Sequence, residues 1–116
     1  MENEKKKSEM IVETAHIAID KSYRKQLVEY LGGAGEVVLT NVIDRGHPNG
    51  PERFELTDKG IILVYNDRTN RWINILFARI GQLYSRFGDK FETLPADLKR
   101  SIKRQCEEYK RLGYNN

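Results

Sequence analysis

The chain has 116 residues, a formal net charge of +3, 32% charged residues and one cysteine. This length allows a hydrophobic core with a sheet and a few helices, whereas the lone Cys106 excludes an intrachain disulfide and a cysteine metal cluster, and no apolar run is long enough to cross a bilayer. The excess of Lys and Arg favours an anionic partner without requiring one; no membrane partner is expected, and a reducing, cytoplasmic setting is the simplest expectation for a single thiol.

Residues 1–9 are charged, with Lys5-Lys6-Lys7 flanked by Glu2, Glu4 and Glu9, and lack an apolar signal stretch. They read as a solvated, poorly ordered segment ahead of a single α+β domain over 10–113, with 114–116 as a C-terminal tail. Met10 to Ile19 fits two periods. Ile11, Ala15, Ala18 and Ile19 share a helical face, and Ile11, Ala15, Ile17 and Ile19 share one side of a strand. Helix is favoured because another helical segment follows without a strong turn. That segment, Lys21 to Leu31, has Asp20 as its candidate cap, an apolar stripe of Tyr23, Leu27, Tyr30 and Leu31, and Gly32-Gly33 as its stop.

Four strands are expected at 36–43, 53–57, 61–65 and 71–79, rich in β-branched and aromatic residues. The connections are a Pro/Gly loop from Asp44 to Pro51, the turn Asp58-Lys59-Gly60, and the hairpin loop Asn66 to Asn70. Links this short predict an antiparallel meander, since a parallel crossover needs about a dozen residues or more. In the second strand, Phe54 and Leu56 fall on one face and Arg53 and Glu55 on the other.

A short helix is expected from Ile80 to Phe87, ended by Gly88, and a long one from Leu94 to Leu112, capped by Thr93 and closed by Gly113. Leu98, Ile102, Cys106, Tyr109 and Leu112 form the long helix's buried stripe, where Cys106 fills space as a small hydrophobe. Its other face carries Lys99, Arg100, Lys103 and Arg104. These residues suit either a nucleic-acid contact surface or a solvated face paired internally, Glu107 with Lys103 and Arg111 and Glu108 with Arg104. The predicted class is α+β: an N-terminal helical segment on a four-stranded, mainly antiparallel meander, then a short and a long helix.

The sequence has no phosphate-binding glycine loop, zinc-spaced His/Cys set or Ser–His–acid signature, and no cofactor or metal is expected. One group suggests chemistry: Arg45, His47, Glu52 and Arg53, beside Tyr65, Arg68, Thr69 and Arg71 of the hairpin. RNA cleavage without a metal needs a base for the 2′-hydroxyl, an acid for the departing 5′-oxygen and cations around phosphorus. His47 or Glu52 can take the first proton, with His47 as the acid if Glu52 is the base. Arg45, Arg53 and Arg71 offer planar donors to phosphate oxygens, and Tyr65 or Trp72 offers a stacking face. Each has a plainer reading: His47 bonded within its turn, Glu52 and Arg53 on an edge-strand surface, Tyr65 and Trp72 in core or interface, Thr69 satisfying the hairpin, and His16 structural or exposed.

From Lys21 to Arg79, a helix and then a meander carrying His47, Glu52-Arg53, Tyr65, Arg68-Thr69 and Arg71, the chain resembles the small ribonuclease and toxin superfamily that includes RelE-like, barnase-like and colicin-type nucleases. The resemblance implies an N-terminal helical portion against a four-stranded sheet, with RNA chemistry on the sheet's exposed face. It also implies His47 as the general acid–base residue, Glu52 as its carboxylate counterpart and Arg53 or Arg71 as the phosphate-binding arginine. The helix from Leu94 to Leu112 departs from that pattern. The leading expectation is an RNA-directed small basic protein with metal-independent endoribonuclease activity. The alternatives are a non-enzymatic accessory, inhibitor or regulatory protein of the kind phages carry, binding a protein partner, and a nucleic-acid-binding module without catalysis. The sequence does not specify an oligomeric state.

Overall fold

The computed structural model describes residues 21–115, so the Met10–Ile19 segment, His16 and the Asp20 cap lie outside the described residues. Helix α1 (Lys21–Tyr30) precedes strands β1 (Val37–Ile43), β2 (Glu52–Thr57), β3 (Ile61–Asn66) and β4 (Arg71–Phe77). Helix α2 (Ile80–Phe87), a 3-10 turn (Gly88–Thr93) and helix α3 (Ala96–Leu112) follow. The strands form one sheet in the order β1-β2-β3-β4, each pair antiparallel. This is the α+β meander that the short connections predict.

Period-two alternation assigns the two faces. Phe54 and Leu56 of β2 pair with Val64 and Ile62 of β3, and these side chains meet Leu83 and Phe87 of α2, Phe91 of the 3-10 turn, and Ile102 and Cys106 of α3. Removing each large apolar side chain from water contributes about 1.5–3 kcal/mol. On the opposite face Ile61, Ile75 and Phe77 are covered by Leu27 and Val28 of α1 and by Tyr109 and Tyr114. Arg24 of α1 donates from Nη1 to the Ile75 carbonyl at 2.9 Å, which occupies part of the β4 edge.

Both long helices close on glycines. After α1, the Gly32 N–H reaches the Glu29 carbonyl and the Gly33 N–H reaches that of Val28; after α3, Gly113 (φ 78°) and Tyr114 repeat the pattern on Lys110 and Tyr109. The second closure turns Tyr114 inward. Read from sequence as the start of the tail, it is only 2% exposed, its ring 5.3 Å from Phe77 and 6.0 Å from Tyr109.

The start of α3 differs from the expectation. Pro95 is the N-cap, and the Thr93 hydroxyl instead donates to the Lys90 carbonyl at 2.6 Å within the 3-10 turn. The expected i,i+4 pairs of α3 are also replaced: Glu108 pairs with Arg111, Asp97 with Arg100 at 2.9 Å, and Glu92 with Lys99 at 3.1 Å. Where two partners lie within reach, the fork of Arg111 one turn along suits the carboxylate of Glu108 better than the arginine behind it.

Candidate functional site

The sheet register puts Ile43, Glu52, Asn66 and Arg71 in one cross-strand row, on the face that also carries α2. At this end of the sheet the β1–β2 loop and the β3–β4 hairpin face each other across a cleft of about 720 Å³, lined by His47, Glu52, Arg68, Thr69, Arg71 and Trp72 among others. Of the residues assigned to chemistry from sequence, His47, Glu52, Arg68, Thr69 and Arg71 therefore line one cleft.

The walls are fixed by local hydrogen bonds. The Asn66 amide donates to the Asn49 carbonyl at 2.7 Å, and the Asp67 N–H to that of Pro51 at 2.9 Å, so the loop and the hairpin hold each other. The Asn66 Oδ1 accepts the N–H groups of Arg68 and Thr69 at 3.0 and 3.2 Å, and Thr69 Oγ1 accepts the Arg71 N–H at 3.3 Å. Thr69 thus serves its hairpin, as the plainer reading has it, and lines the cleft as well. His47 likewise accepts the Gly50 N–H on its carbonyl at 2.9 Å and is one of the residues lining the cleft.

Arg53 and Tyr65 do not line the cleft. Because consecutive strand residues point to opposite faces, Arg53 lies behind the sheet from Glu52. Its guanidinium stands 4.8 Å from the Tyr65 ring centroid, donates to Asn70 Oδ1 at 2.5 Å, and lies 3.6 Å from Asp67 and 3.8 Å from Glu55. Asn70, at φ 54°, is the one non-glycine among the described residues with positive φ. Arg53 therefore braces the hairpin tip from outside, and its ring partner Tyr65 is engaged there too.

The basic face of α3 is largely engaged within the fold. Lys99 and Arg100 are ion-paired with Glu92 and Asp97, and Lys103 Nζ stands 5.4 Å from the Tyr84 ring centroid and 5.7 Å from that of Phe91. Hydrogen bonding to Tyr84, opposed by desolvation, holds the Lys103 pKa above its usual value. Arg104 is exposed. By contrast Arg45, Arg68, Arg71 and Arg86 form no ion pair among the described residues.

Arg86 is the residue that sequence reasoning missed. It sits on α2, its Cζ 5.2 Å from the Phe54 ring centroid, within electrostatic reach of both Arg45 and Glu52. Burial first, and then Arg45, lowers the pKa of its guanidinium, while Glu52 opposes the shift. Its signal in the sequence is its position: one residue before Phe87 and three after Leu83, it is a cation at the margin of a buried stripe.

Cys106 lies in the core at 1% exposure, and desolvation pushes its thiol up to about 12, as befits a space-filling role. Among the described residues no group of three or more His, Cys, Asp or Glu side chains is arranged to hold a metal ion, and no helix is long and apolar enough to cross a membrane. Comparison of the chain with protein families, curated proteins and solved structures gives no match.

Proposed function

We propose that the protein is an RNA-directed enzyme that cleaves phosphodiester bonds by general acid–base chemistry in the cleft between the β1–β2 loop and the β3–β4 hairpin. The observation that carries this reading is the lining of that one cleft by His47, Glu52, Arg68 and Arg71, whose cationic groups are not consumed by ion pairs among the described residues. Glu52, an acceptor only when ionised, takes the 2′-hydroxyl proton as that oxygen bonds to phosphorus. The bond from phosphorus to the 5′-oxygen breaks, and His47 as imidazolium gives that oxygen its proton. Arg68 and Arg71 neutralise the nonbridging oxygens.

The products would be a 2′,3′-cyclic phosphate and a 5′-hydroxyl. Incubating the protein with defined single-stranded and structured RNAs in EDTA tests this directly. Cyclic-phosphate ends that disappear in His47→Ala support it; intact RNA across the panel overturns it. Salt-dependent binding without cleavage would leave a nucleic-acid-binding module.

A protein-binding role draws on Val37, Val42 and Trp72, which are 43%, 46% and 39% exposed. Val42 and Trp72 lie on opposite edge strands, and in the row Val42–Arg53–Tyr65–Trp72 the charged Arg53 interrupts them. An apolar interface centre is normally depleted of charge, so the cleft is the better-supported site.

A further inference from the structure

Arg86 is placed in a way that packing alone does not account for. Its Nε is buried and has no hydrogen-bond acceptor among the described residues, although the guanidinium rests against Phe54 and Glu52 is near. A second guanidinium, that of Arg45, acts on it repulsively. Glu52 offsets the like-charge cost only in part, and an anion would supply both the acceptor that the buried N–H lacks and further countercharge for the two guanidinium groups. The register places this pair across Glu52 from the hairpin arginines. On the β1 side Glu52 pairs with Ile43, two residues ahead of Arg45; on the β3 side it pairs with Asn66, which pairs in turn with Arg71.

We propose that Arg45 and Arg86 form a second phosphate subsite beside the cleft, so that the protein holds an oligonucleotide through two neighbouring phosphates. One phosphate lies against Arg68 and Arg71, and the next against Arg45 and Arg86. The inference rests on the RNA reading given above and narrows its substrate class to chains with a phosphate beyond the scissile one. Planar guanidinium donors suit phosphate oxygens bidentately, and the phosphate would supply the acceptor that Arg86 Nε lacks.

The test uses 2′-O-methyl dinucleotides, which lack the attacking hydroxyl, prepared with no terminal phosphate, with a 5′-phosphate and with a 3′-phosphate. Their affinities are measured for the wild-type protein, Arg45→Ala and Arg86→Gln. One of the two terminal phosphates is expected to tighten wild-type binding by about tenfold or more, and both variants are expected to lose that gain. No gain in the wild type, or an equal gain in the variants, overturns the subsite. Arg45 is exposed, so Arg45→Ala keeps the test decisive should Arg86→Gln fail to fold. Cleavage of an RNA oligonucleotide is scored in parallel. Cleavage with a gain that the variants do not alter removes the subsite alone, whereas a variant-sensitive gain without cleavage supports the subsite and removes the nuclease reading.

Discussion

The guanidinium of Arg68 lies against the backbone of Gly50, so closely that a Cβ at Gly50 would stand 3.1 Å from the Arg68 Cζ. Gly50 also has φ +88°, a conformation that residues with a side chain rarely adopt. The loop and the hairpin thus approach each other at a point where one glycine makes room for one cleft arginine. Gly50→Ala should cost about 1–2 kcal/mol in chemical denaturation through its backbone conformation alone. It should also push Arg68 aside and weaken RNA binding, which titration of a 2′-O-methyl oligonucleotide reads directly. Unchanged stability and unchanged affinity would refute this account of the contact.

His47→Ala and Glu52→Gln separate chemistry from folding. His47 is exposed and Glu52 is half-buried, and neither belongs to the two clusters of core side chains. Denaturation midpoints should therefore stay within about 0.5 kcal/mol of wild type. RNA cleavage should fall by about 10²- to 10⁴-fold in each variant, the usual scale for losing a positioned acid or base. A loss of cleavage that tracks a loss of structure by circular dichroism would count against both assignments.

Arg53 and Arg71 should respond in opposite ways, although both stand out in the sequence as phosphate-binding candidates. Arg53→Ala removes the hydrogen bond to Asn70, the nearby charges of Asp67 and Glu55 and the Tyr65 ring contact. It should cost about 1–3 kcal/mol and reduce cleavage less than about tenfold, through a loosened hairpin. Arg71→Ala should leave stability nearly unchanged and reduce cleavage by about 10²-fold or more, as expected for a lost charge-assisted contact to the transferring phosphate. Measuring both quantities on both variants checks the assignment; matching profiles would contradict the two-faced arrangement.

Alkaline pH should destabilise the fold through the core rather than the cleft. Burial raises the Cys106 thiol from 9.0 to about 12 and the Tyr109 phenol from 10.0 to about 12, and Tyr109 donates to the Lys59 carbonyl at 2.5 Å. Between the unfolded and folded values the unfolded chain binds fewer protons, so stability falls as pH rises. The contribution is complete below pH 9.0 for Cys106 and below pH 10.0 for Tyr109, and each is lost as pH climbs toward about 12. Each group can remove up to about 1.4 kcal/mol per pH unit within its window. Denaturant midpoints measured from pH 8 to 11 should decline, and Cys106→Ala should flatten the part that begins first. The native thiol should also resist alkylating reagents at neutral pH.

Much of the architecture followed from local chemistry. β-branched runs separated by short polar links allowed little besides an antiparallel meander, Gly32 and Gly113 marked the helix ends, and the stripe Ile102, Cys106 and Tyr109 is the buried face of α3. Even the separation of Glu52 from Arg53 was contained in the sequence, because neighbours in a strand face opposite ways. What periodicity does not specify is which face a helix will cover and which strand ends will meet. Those were decided by tertiary packing: α2 settled on the Phe54 face and carried Arg86 toward Glu52, while the Schellman turn at Gly113 drew Tyr114 into the core. The pairing of the Asp44–Pro51 loop with the Asn66–Asn70 hairpin is likewise a matter of register and long-range hydrogen bonds such as Asn66 to Asn49. Residue types and alternation belong to the chain itself, whereas the placing of His47, Glu52, Arg68 and Arg71 along one cleft at one end of the sheet depends on contacts between segments far apart in it.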